Sequence, residues 1–588
     1  MNLPLYRILL FICLSLVCSS ANLTAVGAQE SGKETAKSNV IGAKVYAAKC
    51  ASCHGANGEG NPAKFEDALH GDLSLDELAK YIAETMPEED PDSCVGDEAR
   101  KVAEFAFQKF YSAAAQRKLN EARVELSRLT VRQYRESIAD LIGSFSDPIW
   151  ISEERGLEAN YFGSRNWTEK RRLSKQTDPA VDFADGVPHF DATGKYKKLQ
   201  KKKKSENEMN VGFSVYWSGG LIAPETGEYE IIVESKNGFE LKLNDNENPL
   251  IDRQVRSDDV NEHKEKIFLL GGRNYEFNLE MYSRLDPPAK IRVLWKPPGQ
   301  RKVVIPNSAF TPHGTAEVAV VSTKFPPDDA SFGFERGISV SQQWDVATTE
   351  ASIEVANWIA ERIHRLAGAK GTDEEAIKKI RYFCHQFVSR AFTKPLSDDD
   401  RYFFVDQHFE QELSIQDQVK RAVIMTLKSP RFLFPDLQER DKNHELVRRM
   451  ALCMWDSVPD KQLYDLAFKG KFKDEKLVEE QLYRMLFDPR SKNKLHSFFH
   501  YWLESHEPSI SKDKELYPNF DDQITSDLKT SLETYLNDVV WAEESDFKQL
   551  FLADYLFLNE RLAKFYGVDF SKTENRQKVP LFRLDSRK

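Results

Sequence analysis

Residues 49–60 read KCASCHGANGEG, with two cysteines two residues apart and a histidine directly after the second. This pattern constrains the fold of its surroundings more than any other stretch of the chain. Cys-x-x-Cys alone is compatible with a redox dithiol, half of a zinc site or a haem attachment, and His54 behind Cys53 selects the third. Two thiols on one helical turn add across the two vinyl groups on one porphyrin edge, and the adjacent imidazole then swings beneath the iron as proximal ligand. A zinc site would need a second ligand pair at similar spacing, and none follows. A thioredoxin-like site would follow a strand, and no strand pattern precedes Cys50. The expected cofactor is therefore one covalent haem c held by Cys50, Cys53 and His54.

A distal ligand is sought downstream. Met86 lies in YIAETMPEEDP, where Pro87 ends the preceding helix and leaves Met86 in a loop from which its thioether would face an iron. His70 is the competitor. Val45 and Tyr46 on the first helix and Val102, Phe105 and Ala106 on the last have helical spacing. With the Cys-Cys-His turn and Met86, residues 38–112 resemble a class I cytochrome c domain, which implies an all-α fold and His54/Met86 axial ligation. Cys94 has no evident partner in this stretch and is read as a free thiol.

The first residues suggest export. Arg7 precedes the short apolar run ILLFICLSLVC, and VGAQ offers a small-residue cleavage site after Ala28, so residues 1–28 read as a signal peptide. The run is shorter than the ~20 residues a spanning helix needs, and bulky Val17 disfavours a lipid anchor on Cys18. A periplasmic or extracellular location is expected, with no transmembrane anchor after cleavage. Cys13 and Cys18 leave with the signal, and the five remaining cysteines are too few and scattered for a disulfide framework. At 588 residues the chain should hold several domains, and its net charge of −11 argues against a nucleic-acid partner.

From Gly156 the period changes to alternating, turn-separated segments such as GFSVYWSGGLIAPETGEYEIIVES and NGFELKLNDNENPLID, which predict an all-β sandwich. Tyr161-Phe162, Phe213, Trp217-Ser218-Gly219, Thr226 to Tyr229, Gly238-Phe239, Gly271-Gly272 and Leu294-Trp295 resemble a protective-antigen-type β-sandwich over 155–312. That resemblance implies binding of a glycan or of cell-envelope material, in some relatives through calcium. Asn237, Asn244, Asp245 and Asn246 are the loop candidates for ligand contact, whereas Tyr161, Phe213, Trp217 and Trp295 are read chiefly as core. Calcium is the lesser expectation: Asn237-Gly238 stands where Asp-Gly is common, and Asp258 and Asp259 are an acid pair of the kind usually just solvated. The lysine run KYKKLQKKKKS (195–205) suits an acidic polymer or, more simply, a solvated insertion.

Elsewhere helical periods dominate, so the expected whole is a multi-domain protein whose C-terminal region is mainly α-helical. The expected helical modules are 126–145, 347–405, 410–505 and 522–588. Thr130 caps the first, with Leu129, Tyr134, Ile138 and Leu141 as its apolar face. Arg128-Leu129, Asp140-Leu141, Arg390-Ala391-Phe392, Ser429 to Leu433, Trp455, Ser457, Asp488-Pro489-Arg490 and Asn559 to Ala563 resemble the helical modules of planctomycete-type multi-domain cytochrome c proteins. Members of that family run on past the last motif, so the final module is expected to be truncated or the sequence incomplete. His385, His444, His496 and His500 suggest a second site only in the general sense that histidine titrates and binds metals.

The expected function is electron transfer by an exported monohaem c-type cytochrome, with an unidentified redox partner and a sandwich that binds carbohydrate. The alternatives are a haem-linked oxidoreductase acting on a polysaccharide or small organic substrate, and a structural cell-envelope binding protein. A complete enzyme would need a second cofactor site, which the sequence does not display, so its catalytic residues are unknown and an electron carrier is preferred.

Overall fold

The computed structural model describes residues 41–111, 127–146, 154–187, 212–568 and 582–585, with short internal breaks at 62, 66–68, 70–72, 164–166, 168, 258, 285–288, 332–333, 438–439, 506–511, 543–544 and 547. Residues 1–28, read above as a signal peptide, and His70, Asp258 and the lysine run lie outside the described residues. The chain forms two compact units, which divide between residues 126 and 127.

The N-terminal unit is helical. Residues 41–54 wind through a wide turn at Tyr46–Cys50 into Ala51–His54. Helix α1 (Leu75–Thr85) is opened by Ser74, whose side chain accepts from the Glu77 amide while Glu77 reaches back to the Ser74 amide, a reciprocal capping box. Helix α2 (Gly96–Ala106) continues as Phe107–Tyr111. Leu78 and Ile82 from α1, Val102 and Ala103 from α2, and Tyr46 and Phe110 form one small core.

The second unit begins with α3 (Val131–Gly143), capped by Thr130 as its sequence predicts. The sandwich follows. Its first strands are β1 (Leu157–Phe162), β2 (Arg172–Asp178) and β3 (Asp182–Phe183), and β4 (Gly212–Ala223), β5 (Gly227–Ser235), β6 (Gly238–Leu243) and β7 (Ile251–Arg253) continue it. It closes with β8 (Asn261–Leu269), β9 (Arg273–Arg284), β10 (Ile291–Lys296), β11 (Val303–Val304) and β12 (Phe310–Thr311). One antiparallel sheet has the order β2-β1-β4-β9-β6-β7, with β12 also on β4; the other is β11-β10-β5-β8, with β3 on β10. The Pro-Glu-Thr-Gly turn therefore passes the chain from one sheet to the other, while β6 and β7 pair directly. Tyr161, Phe213, Trp217 and Trp295 are buried in the core. Asp178 is buried beside them and accepts hydrogen bonds from the Tyr161 hydroxyl, from Trp217 Nε1 at 2.8 Å and from Gln176 Nε2 at 2.6 Å.

The rest of this unit is helical from α4 (Gln342–Leu366) through α5 (Glu374–Ala391) and α6 (Ile415–Leu427), whose Ile359, Phe383, Phe387 and Val419 share a core with Tyr134, Ile138 and Leu141 of α3. Helices α7 (Lys442–Trp455), α8 (Lys461–Phe468) and α9 (Glu475–Leu486) close on Met450, Trp455, Leu463 and Met485, followed by α10 (Pro489–Trp502), α11 (Asp522–Trp541) and α12 (Glu560–Phe565). Two features depart from the sequence reading. The long helix starts at Gln342 rather than near 347, because Ser341 accepts from the Trp344 amide and caps it. Residues Tyr555–Leu558 are a strand, β13, paired with β14 (Phe582–Asp585), and helix resumes only after Asn559 caps α12. Among the described residues no helix is long and apolar enough to cross a membrane.

Candidate functional site

The Cys-x-x-Cys-His turn is set by three glycines and a tyrosine. Gly55, Gly58 and Gly60 have φ of 78°, 73° and 85°, a region that side chains disfavour, so the chain leaves His54 in a tight loop. The Tyr46 hydroxyl donates to the Gly55 carbonyl at 2.9 Å, the Gly60 amide to the His54 carbonyl at 2.9 Å, and the Leu69 amide to the Gly58 carbonyl at 2.7 Å. Asn61 Nδ2 donates to the Ser52 carbonyl at 2.8 Å, so the loop folds back over the turn that carries both cysteines.

Cys50 and Cys53 are half-buried free thiols. Burial pushes the Cys50 thiol up to about 11, and neighbouring Cys94 adds to the shift. Burial also lowers the His54 imidazole below its ordinary value, which keeps it neutral and able to ligate a metal. His54 Nδ1 is buried without a hydrogen-bond partner among the described residues, and the ring meets Phe65 edge-on at 4.7 Å. Met86 caps the C-terminus of α1 in extended conformation, φ −127° and ψ 138°, half-buried against the same core as Cys50, Leu69, Leu73 and Leu75. Phe65 and Tyr81 are large apolar side chains left exposed in this unit. Two thiols, a neutral imidazole with an unpartnered ring nitrogen, a thioether and an apolar surround form the donor set and shell that a haem requires. The structure thus fits the group; Phe65 beside the imidazole had no signal in the spacing. Cys94 is buried and forms no disulfide among the described residues.

The loop residues proposed for ligand contact behave differently. Asn237 is only 4 % exposed, and its amide is committed: Nδ2 donates to Ser283 Oγ at 3.1 Å, and Oδ1 accepts from the Lys290 amide at 3.1 Å. It is a brace, a correction to its reading as a contact residue, because its polar atoms are spent within the sandwich. Asn244 clamps Val318 through both amide atoms, at 2.9 Å and 2.8 Å. Asp245 accepts from the amides of Glu247 and Asn248 at 2.8 Å and 3.0 Å, which makes it a turn-former. Asn246 alone is well exposed. The four histidines are likewise committed: His385 to Asp406, His444 to Asp441, His496 to Asn537 and His500 to Ser505. Among the described residues no group of three or more His, Cys, Asp or Glu side chains is placed to hold a metal ion.

Three segments match known families. Residues 39–105 match the family described as cytochrome C oxidase, cbb3-type, subunit III. Residues 154–309 match the PA14 domain, and residues 442–568 match a family described as protein of unknown function DUF1592. The chain is 28 % identical over 162 residues to the anti-sigma-I factor RsgI3 of Acetivibrio thermocellus, covering 27 % of this chain and 21 % of that protein. Among solved structures it is similar to an anti-sigma factor domain-containing protein from Clostridium clariflavum, at 27 % identity over 29 % of this chain and 53 % of that one, with a TM-score of 0.22. It is also similar to a PA14 sugar-binding domain from an RTX adhesin, at 15 % identity over 27 % of this chain and 99 % of that one, with a TM-score of 0.21. The chain thus spans about a fifth of the length of the curated relative and about half of the anti-sigma structure. The three family matches support a multi-domain cytochrome c protein, in which a haem c domain is joined to a PA14-type sandwich and a helical region shared with proteins of unknown function.

Proposed function

We propose that this protein is an exported monohaem electron carrier whose sandwich holds it to carbohydrate or other cell-envelope material. Haem c, when bound, supplies the exchange of single electrons. Cys50 and Cys53 would attach it, His54 would be the proximal ligand and Met86 the distal one. The observation that carries the reading is the His54 imidazole, kept neutral by burial, with Nδ1 unpartnered, on the same turn as both thiols. Lys49 supports that turn by donating to the Ser93 carbonyl at 2.5 Å and to Glu98 at 2.8 Å, which ties it to the start of α2. Met86 is kept extended by Pro87, which disfavours the helical conformation in the residue before it.

Export rests on the signal-like residues 1–28, and carbohydrate binding on the PA14 match together with the resemblance already described. The first test is haem staining of the denatured protein, produced in a host that matures c-type cytochromes. Wild type should retain haem, and Cys50→Ala with Cys53→Ala should lose it; full retention in the double variant refutes the assignment. Met86→Ala should abolish the weak near-infrared band of an oxidised thioether–iron bond and lower the potential. If band and potential both survive, Met86 is not the ligand.

A further inference from the structure

The outward face of the β2-β1-β4-β9-β6-β7 sheet carries aromatic side chains that the core does not need. Strand register sets Asn160, Tyr216, Glu280 and Glu240 in one row across β1, β4, β9 and β6. Tyr282 pairs with Ser214, two pairs further along β9, and so stands diagonal to Tyr216 on the same face. Trp167, from the loop after β1, lies nearly parallel to both rings. Its plane is 27° from Tyr216 with centroids 5.4 Å apart, and 10° from Tyr282 with centroids 6.1 Å apart. The indole is 40 % exposed, so it rests on the two half-buried tyrosines and keeps apolar surface open to solvent.

The rim of this surface is polar and acidic. Glu280 and Glu240 are directly opposite on neighbouring strands, a like-charge pair that costs stability in an antiparallel sheet. Burial and the neighbouring Glu240 raise the Glu280 carboxyl, and the Tyr282 hydroxyl donates to it at 2.7 Å. The Tyr216 hydroxyl donates to Asn278 Oδ1 at 2.8 Å. Lys242 pairs with Glu240 at 3.2 Å and partly offsets Glu280, and Lys175 pairs with Glu158 at 2.9 Å.

Flat rings ringed by carboxylates and amides match the two-sided chemistry of a pyranose. Its axial C–H face stacks on an aromatic plane, while its equatorial hydroxyls find both donors and acceptors at the edge. The excess of carboxylates disfavours uronate or sulfated chains, whose charges would meet their own kind. We infer that Trp167, propped on Tyr216 and Tyr282, forms the glycan-stacking surface of this sandwich, selective for neutral polysaccharide, with the 244–246 loop at its edge, where Asn246 Oδ1 accepts from Asn278 Nδ2 at 3.3 Å. The inference rests on the reading of the sandwich as a carbohydrate-binding domain and locates the contact within it.

The test is affinity gel electrophoresis of the full chain in hydroxyethyl cellulose, galactomannan and xyloglucan, with carboxymethyl cellulose and alginate as acidic counterparts. At least one neutral polymer should retard wild type more strongly than either acidic one. Trp167→Ala should weaken that retardation about tenfold, since it removes the stacking ring. Trp167→Phe, which keeps an aromatic plane, should fall between, and Asn246→Ala, which removes one hydrogen bond at the edge, should weaken retardation less than Trp167→Ala. Retardation that survives Trp167→Ala but fails in Asn246→Ala overturns this surface and leaves the carbohydrate reading standing. Preference for the acidic polymers also overturns it. No retardation by any polymer removes both.

Discussion

Replacing Asp140 with alanine should destabilise the unit that begins at residue 127 by about 2–4 kcal/mol, and the structure shows where that figure comes from. Asp140 projects from α3 into a buried junction and accepts from Arg273 Nη1 of β9 at 2.7 Å and from Arg490 Nη1 of α10 at 2.8 Å. One carboxylate thus ties the sandwich, α3 and the helical region together. Neither arginine would be orphaned by its loss. Arg273 keeps Glu136 at 2.6 Å, and Arg490 keeps Asp488 at 2.7 Å with its guanidinium 3.6 Å over the Trp455 ring. The loss is therefore two charge-assisted hydrogen bonds, about 1.5–3 kcal/mol each, offset by a few kcal/mol because a buried carboxylate no longer has to be desolvated. Asp140→Asn keeps one acceptor oxygen without the charge and should fall between wild type and alanine. The assay is urea denaturation followed by tryptophan fluorescence, read at the transition of this unit, since a chain with two units need not unfold in one step. Acid supplies a second check. Burial alone would raise the Asp140 carboxyl, but Arg273 and Arg490 outweigh it and hold it well below the carboxylate range. A depressed folded pKa contributes stability above the unfolded value of about 4, and that stability drains away as pH falls below it. The gap between wild type and Asp140→Ala should therefore narrow in acid. A gap under about 0.5 kcal/mol at pH 7, or one that does not narrow on acidification, would refute the account.

Glu533→Gln should stabilise the protein at pH 8 and change little near pH 4. Burial, and then Glu225 of the turn between β4 and β5, raise the Glu533 carboxyl well above its usual range, so as pH climbs past the unfolded value the folded state holds a proton that the unfolded state has released, and stability falls; a thermal midpoint unchanged at both pH values would contradict this. Gly58→Ala should cost the N-terminal unit about 2 kcal/mol, because φ there is 73° and a Cβ would sit 2.8 Å from the Phe110 ring. Haem absorbance during denaturation would report it. Thr130→Ala should cost about 1 kcal/mol by removing the acceptor for the Gln133 amide at the start of α3, measured by the same urea titration.

The local code was legible wherever neighbours in sequence settle the matter. Thr130 caps α3 as its spacing predicts, Pro87 releases Met86 from α1, and the alternation in GFSVYWSGG puts Phe213, Val215 and Trp217 inside. The Cys-x-x-Cys-His turn and the change of period at Gly156 belong to the same class, because three covalent neighbours or a run of alternating side chains carry the whole signal. The sequence reading erred where a polar side chain had two futures. Asn237 in a loop looks the same whether it greets a ligand or braces Ser283 and Lys290, and only the approach of strands distant in sequence spends its amide. Tyr555–Leu558 reads as helix until a partner strand at Phe582–Asp585 supplies its hydrogen bonds.

Periodicity gave α3 an apolar face but no hint that Glu136 and Asp140 on its other side are buried too. The partners that make their burial tolerable, Arg273 and Arg490, lie 133 and 350 residues away along the chain from Asp140. Trp167 likewise reads as one more aromatic in a polar loop, and its stack on Tyr216 and Tyr282 exists only once β4 and β9 pair in register. The sequence by itself thus determined the Cys-x-x-Cys-His turn, the caps and the sheet faces, since these depend on the next few residues. Tertiary structure decided which polar groups are spent on the fold and which remain for a ligand, since hydrogen bonds and ion pairs are short-ranged and join residues that only folding brings within reach.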